Sequence, residues 1–271
     1  MTAPICRTCG VQSSPGAGGA PPERCIICTD PRQYVGWGGQ VWTSLEELAA
    51  DGHRTVVREV EPGLHGIGVE PRLGIGQRGL IVRTEHGNVL FDVPGFVDNE
   101  AFETVEAMGG LAAVSASHPH FYGCMVEWAH RFDATIHLPI ADMTHVPRSD
   151  PAIEYYTDEA VPVRGTRLVR VGGHFEGSAV LSWPAGAEGL GVLLTGDSIQ
   201  VAMDRNWVSA MWSYPNMIPL DEDAILAIED RIDPLSFDRI YGGWWDRVVP
   251  ADAEQRVRAS FDRYLRMIGA R

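Results

Sequence analysis

The chain predicts an α/β fold of the α+β kind, in which strand-rich runs are each followed by helices, preceded by a small metal-stapled module. Three observations carry this reading. Four of the five cysteines form two Cys-x-x-Cys pairs within the first 28 residues. Beyond residue 50 the pattern changes to short apolar runs of period two, separated by Gly, Asn and Asp, which is how strands and their turns read. Each half of that remainder then closes with apolar residues at helical spacing. At 271 residues and 45% hydrophobic content, the chain can bury one large core and carry an appendage. We place the division at 1–50 for the module and its connector, and 51–271 for the larger domain.

Taken in order, Cys6, Cys9, Cys25 and Cys28 leave fifteen residues between the pairs, the two-knuckle spacing of a four-cysteine zinc site. The intervening SSPGAGGAPPE is too rich in Gly, Pro and Ala to pack a core, so a structural zinc has to supply the order that burial cannot. Cys124 stands apart and reads as a small buried hydrophobe. Ser44 or Thr43 caps a short helix through Leu48 that Gly52 ends. TVVREV, HGIGVE and RGLIVRTEHGNVLFDV follow as an antiparallel meander, with a hairpin turn at His86-Gly87-Asn88. Phe102, Val105 and Met108 then form a helical stripe closed by Gly109-Gly110. LAAVSAS reads as a buried strand, GCMVEWAHRF as a helix and ATIHLP as another strand. A second meander covers TRLVRVGG, SAVLSW and GVLLTGD, and two helices, at about 221–231 and about 251–268, flank the strand FDRIYGG.

Charge removes whole classes of function. The formal net charge is −14 and no basic run is present, which argues against a nucleic-acid partner. All 22 basic residues are Arg. Without Lys, Schiff-base and lysine-anchored pyridoxal phosphate chemistry is excluded. No apolar run approaches the roughly 18–20 residues of a membrane span. The opening MTAPICRTCG lacks the basic-then-apolar order of a secretory signal, so a cytoplasmic location is expected and disulfides are the poorer reading of the cysteines.

The chemistry concentrates in four segments. In SASHPHFYGC, His118 and His120 are one residue apart, the spacing at which two imidazoles leaving an extended segment share a side. His174 follows a Gly-Gly turn in VRVGGHFEG. Asp197 ends the apolar strand GVLLTGD, and Asp92 ends NVLFD in the same way. Each is weak alone, and their order in the chain is what counts.

That order resembles the metallo-β-lactamase superfamily over roughly residues 65–271. The resemblance implies an αββα sandwich with a metal site along one edge of its two sheets. By position, Asp92 matches a supporting aspartate, His118 and His120 the His-x-His of the second motif, His174 the third-motif histidine, and Asp197 the aspartate that bridges two metals. Tyr122 and Gly123 stand where that motif continues with Asp and His, and Trp244 falls near the place of a last histidine. Those three positions serve the second metal, so the resemblance implies a single metal, zinc or iron. The longer wording SHPHFYGCMVEWA, VGGHFEGSAVLSW and MWSYPNMIPL also resembles a branch of metallo-hydrolase-like proteins with an altered second motif.

The expected activity is hydrolysis of an ester, thioester or lactone by metal-activated water, with Asp197 standing off the metal and Tyr122 donating to the oxyanion. Trp244, Trp245, Trp207, Trp212 and Tyr214 are expected to wall a pocket for a partly apolar small molecule. Two alternatives stay open: a non-haem iron oxygenase on the same ligands, and a binding or scaffold protein that kept the fold and lost turnover. Whether the zinc module covers the active site, pairs protomers as a homo-oligomer or recruits another protein is open at this point.

Overall fold

Leu80 and Val82 leave one face of the strand Gly79–Thr84 and Ile81 the other, yet none is more than 2% exposed. The neighbouring strand Gly87–Phe91 repeats this, with Val89 and Phe91 opposed to Leu90. Side chains alternate along a strand, so burial on both faces demands a layer on each side. The computed structural model, which describes residues 3–270, supplies them as helices, sheet, sheet and helices.

The first sheet has seven strands in chain order: Arg54–Glu61, Leu64–Glu70, Gly79–Thr84, Gly87–Phe91, Ala113–Ser115, Thr135–Pro139 and Ile153–Tyr156. Its first four are antiparallel and the last three add in parallel. The second sheet has six, Glu159–Ala160, Arg167–Arg170, Ala179–Trp183, Val192–Gly196, Arg239–Gly242 and Val248–Val249. Between the sheets Leu80, Val82 and Phe91 meet Leu168, Leu181 and Leu194. Outside the first, Ile81 and Leu90 pack on the helices Asn99–Ala107 and Met125–Phe132 through Val105 and Trp128. Outside the second, Val180 and Leu193 pack on Glu222–Ile232 and Ala253–Met267 through Ile228 and Phe261. This is an αββα sandwich.

Local chemistry sets the element ends. Ser44 accepts the Glu47 N–H at 3.2 Å and caps Leu45–Ala50. The hairpin between Gly79–Thr84 and Gly87–Phe91 turns earlier than its Gly-Asn pair suggests, at Glu85-His86. Thr84 Oγ1 donates to the Gly87 carbonyl at 2.7 Å and accepts the His86 N–H at 3.1 Å, so Gly87 already pairs with Thr84.

The N-terminal module packs onto the body of the protein. Ile5, Val11, Ile27 and Leu48 share one core with Ile81 and Leu90. Gln77 Nε2 donates to the Cys9 carbonyl at 3.3 Å, and the Gln12 N–H donates to the Gly123 carbonyl at 3.1 Å. Among the described residues, no helix is long and apolar enough to cross a membrane.

Candidate metal centre

Two strand ends, one from each sheet, build the centre. Ala113–Ser115 delivers Ser117 and His118, and Val192–Gly196 delivers Asp197. Asp92, at φ +63°, turns its carboxylate back to accept the Ser117 N–H at 2.7 Å, which fixes the chain just before the first histidine. Gly196 lies at φ +55°, and a Cβ there would run into Ser117 Oγ and the Asp92 carboxylate. Only glycine lets the two sheet ends close on each other here. His118 is extended, but Pro119–Phe121 is a 3₁₀ turn, so His120 reaches the centre from a turn and not from a continued strand.

The three imidazoles meet in space. The His118 ring lies 4.8 Å from both His120 and His174, which are 5.1 Å apart, all measured between centroids. Each residue is at most 2% exposed. His174 Nδ1 donates to the carbonyls of Met211 and Trp212 at 3.0 and 2.9 Å, leaving the bare Nε2 aimed inward. His118 Nδ1 is held by Ser117 Oγ at 2.9 Å, which likewise turns Nε2 inward. His174 Nε2 and His120 Nδ1 are 3.3 Å apart. A metal with N ligands at about 2.05 Å in a tetrahedron separates them by about 3.3 Å.

Asp197 Oδ1 approaches His118 Nε2 to 3.0 Å, and both atoms are buried without a hydrogen-bond partner. Such orphans cost free energy unless something else binds them. Burial pushes the His120 pKa well below its usual value and that of His174 down to about 4, so these rings are neutral lone-pair donors at neutral pH. The donor set therefore fits a metal ion. The three histidine nitrogens lie within 4.8 Å of one another, with Asp197 Oδ1 beside that of His118.

The second cluster is all sulfur. Cys6 and Cys28 Sγ are 3.6 Å apart, and Cys9 and Cys25 Sγ 3.8 Å. All four are buried free thiols within 4.8 Å of one another. Zinc–sulfur bonds of about 2.3 Å in a tetrahedron give about 3.8 Å between sulfurs. Gln40 braces this site, donating Nε2–H to Cys6 Sγ at 3.2 Å and accepting the Cys25 N–H at 3.0 Å.

Comparison with known proteins agrees with this picture. No family model matches the chain. Uncharacterized protein YmaE of Bacillus subtilis (strain 168) is 40% identical over 268 residues, covering 98% of this chain and 97% of its own. Among solved structures, VMB-1 superposes with a TM-score of 0.59 at 14% identity, covering 80% of this chain and 99% of its own. DIM-1 metallo-β-lactamase gives 0.56 at 13% identity, over 78% of this chain and 98% of its own. The chain belongs to the family of YmaE and has the metallo-β-lactamase fold.

Where the resemblance implies the further ligands of the second motif, this YmaE-family chain carries Tyr122 and Gly123. Gly123 sits at φ +42°, and a Cβ there would strike the carbonyl oxygens of Val93 and Pro94. A histidine there would need a strained backbone and displaced carbonyls. Tyr122 is a correction to the sequence expectation. It is fully buried in the first core, its charged and phenolic neighbours are Asp142, Tyr156 and Tyr155, and burial drives its pKa up. It packs under the motif and does not line the cavity over the histidines, because the 3₁₀ turn breaks the alternation that would have placed it beside His120.

The cavity over the histidines has a volume of about 460 Å³. Trp244 and Tyr214 line it, the former donating Nε1–H to the Ile75 carbonyl at 3.2 Å and the latter its hydroxyl to the Asp197 carbonyl at 2.8 Å. The other three aromatic residues are elsewhere. Trp245 lies across Gly66 and Gly68 of the first sheet, beneath Arg58. Trp207 stacks under Arg263 at 4.4 Å, and Trp212 carries Arg32 at 5.1 Å and packs on the second core. Sequence reading missed Gln33 and Tyr34 from the N-terminal segment and Arg72 and Arg247, all of which line the cavity. Ser117 was legible in principle, as a hydroxyl adjoining His118. Nothing in the pattern singles out Gln33 or Gln40.

Proposed function

We propose that the chain is a metal-dependent hydrolase, with one zinc held by His118, His120 and His174 and a structural zinc held by the four cysteines. Its substrate is a small ester, thioester or lactone-like molecule. The observation that carries this reading is the buried tripod of imidazole nitrogens with the Asp197 carboxylate oxygen 3.0 Å from His118 Nε2. A fourth protein ligand would fill a tetrahedral zinc, whereas a tripod leaves one position for chemistry. Bound there, the ion would act as a Lewis acid and bring the pKa of water from about 15.7 to about 7.

Asp197 does the proton work. Burial raises its pKa, but His118 and His174 more than offset this and hold it below the usual carboxylate range, so it is an acceptor at neutral pH. Its free oxygen orients water toward the acyl carbon and takes the proton as the new C–O bond forms. The acyl C–O or C–S bond then breaks, and that proton passes to the leaving alkoxide or thiolate. Tyr214 holds the Asp197 backbone in place from its carbonyl side. The half-buried Trp244 lines the same cavity and meets the ring of Phe121 edge-on at 5.7 Å.

The test is turnover of a panel of small esters, thioesters and lactones by zinc-loaded protein. Asp197→Asn should lower kcat by at least roughly 100-fold with both metals retained. An inert wild type with both metals bound would favour a binding protein instead. His118 or His120, with His174 and Asp197, is also a two-histidine-one-carboxylate set, which supports a second reading as a mononuclear iron oxygenase. Iron in the purified protein together with oxygen consumption would select it.

A further inference from the structure

After the last knuckle cysteine the chain does not leave the body of the protein; Asp30–Tyr34 is threaded between the loops of the catalytic edge. Arg32 is the fastening. Its guanidinium binds Asp30 at 3.0 Å and Glu176 at 3.0 Å, and lies over the rings of Phe175 at 4.5 Å and Trp212 at 5.1 Å. Phe175 in turn packs against the rings of His120 and His174, each at 5.1 Å. The main chain is held as well. Ser213 Oγ donates to the Arg32 carbonyl at 2.8 Å, and Asn216 Nδ2 donates to the Pro31 carbonyl at 3.0 Å. The same stretch, one and two residues before Ser213, provides the Trp212 and Met211 carbonyls that orient His174.

What this latch presents to the cavity is Gln33. Gln33 is 6% exposed, it lines the cavity with His120, His174 and Asp197, and its carboxamide oxygen is buried without a hydrogen-bond partner. A buried acceptor left unpaired is costly unless a ligand satisfies it. We propose that Gln33 is a specificity-determining residue that accepts a hydrogen bond from an N–H or O–H of the substrate, and that Arg32 positions it. The four-cysteine module is thereby a wall of the catalytic pocket. The identity of the ligand as a substrate rests on the hydrolase reading; the recognition of a donor group does not.

The test compares two probes that differ by one donor, γ-butyrolactone and α-hydroxy-γ-butyrolactone. Their binding to the full-length protein is measured by NMR, and their turnover on the same samples. Wild type should bind the hydroxylated lactone more tightly by roughly tenfold, the range for satisfying a buried polar group. Gln33→Ala should abolish that preference. Arg32→Ala should abolish it too, although its side chain does not line the cavity, while Arg32→Lys, which keeps the ion pairs, should restore part of it. Arg32→Ala should also speed hydrogen exchange in residues 31–34 and 211–216 at least tenfold, with strands 79–84 and 87–91 still protected. Equal binding of both lactones by wild type, or a preference that survives Gln33→Ala, overturns the proposal. A preference without turnover keeps Gln33 in its role and sinks the hydrolase reading instead.

Discussion

Putting back the missing histidine of the second motif is the sharpest way to ask whether this chain has lost its second metal or merely lacks one residue for it. Gly123→His meets two obstacles. Its backbone is in the left-handed region at φ +42°, which costs an L-residue roughly 1–2 kcal/mol. Its Cβ would press on the carbonyl oxygens of Val93 and Pro94, the latter fixed by the Cys124 N–H, which donates to it at 3.0 Å. Forced overpacking of that kind costs roughly 1–3 kcal/mol. The sum is about 2–5 kcal/mol, or a fall in Tm of roughly 4–20 °C at the usual conversion for domains of this size. Thermal unfolding and metal analysis of Gly123→His, alone and with Tyr122→Asp, check it. The expected outcome is a destabilised protein with no extra metal. A variant as stable as the wild type that takes up a third ion per chain would refute the packing argument.

Other outcomes follow from the same geometry. Ser117→Ala removes the hydroxyl that orients His118 at 2.9 Å, and should weaken metal binding at the histidine site by roughly 10–100-fold in a chelator competition, leaving the cysteine site untouched. In metal-free protein, His174 is held at about 4 against 6.5 in the unfolded chain. Between those values the unfolded state binds the proton that the folded state refuses, so stability is lost as pH falls from 6.5 toward 4, by roughly 3 kcal/mol. Urea unfolding across that range measures it, and His174→Ala should lessen the dependence without abolishing it, because buried His120 has its pKa pushed down as well.

The layers and most of the donors were legible because they rest on local rules. Buried strands such as Gly79–Thr84 announce themselves as apolar runs, and the Cys-x-x-Cys and His-x-His spacings are short-range. Tyr122 went astray because period-two reasoning was carried past His118, where the chain has already entered a 3₁₀ turn. The aromatic residues divided for a similar reason: in the Trp244-Trp245 pair one ring faces the cavity and the other covers Gly66 and Gly68, and adjacency says nothing about which. The latch was illegible altogether. Arg32 meets Glu176 and Ser213 across 144 and 181 residues of chain, and no periodicity encodes such a contact.

Metal content decides the central claim most directly. Purified wild-type protein and the His118→Ala, His174→Ala double variant should contain two ions and one ion per chain, respectively, the survivor being the cysteine-bound zinc. Equal metal content in the two proteins would contradict the histidine centre, and with it the chemistry assigned to Asp197.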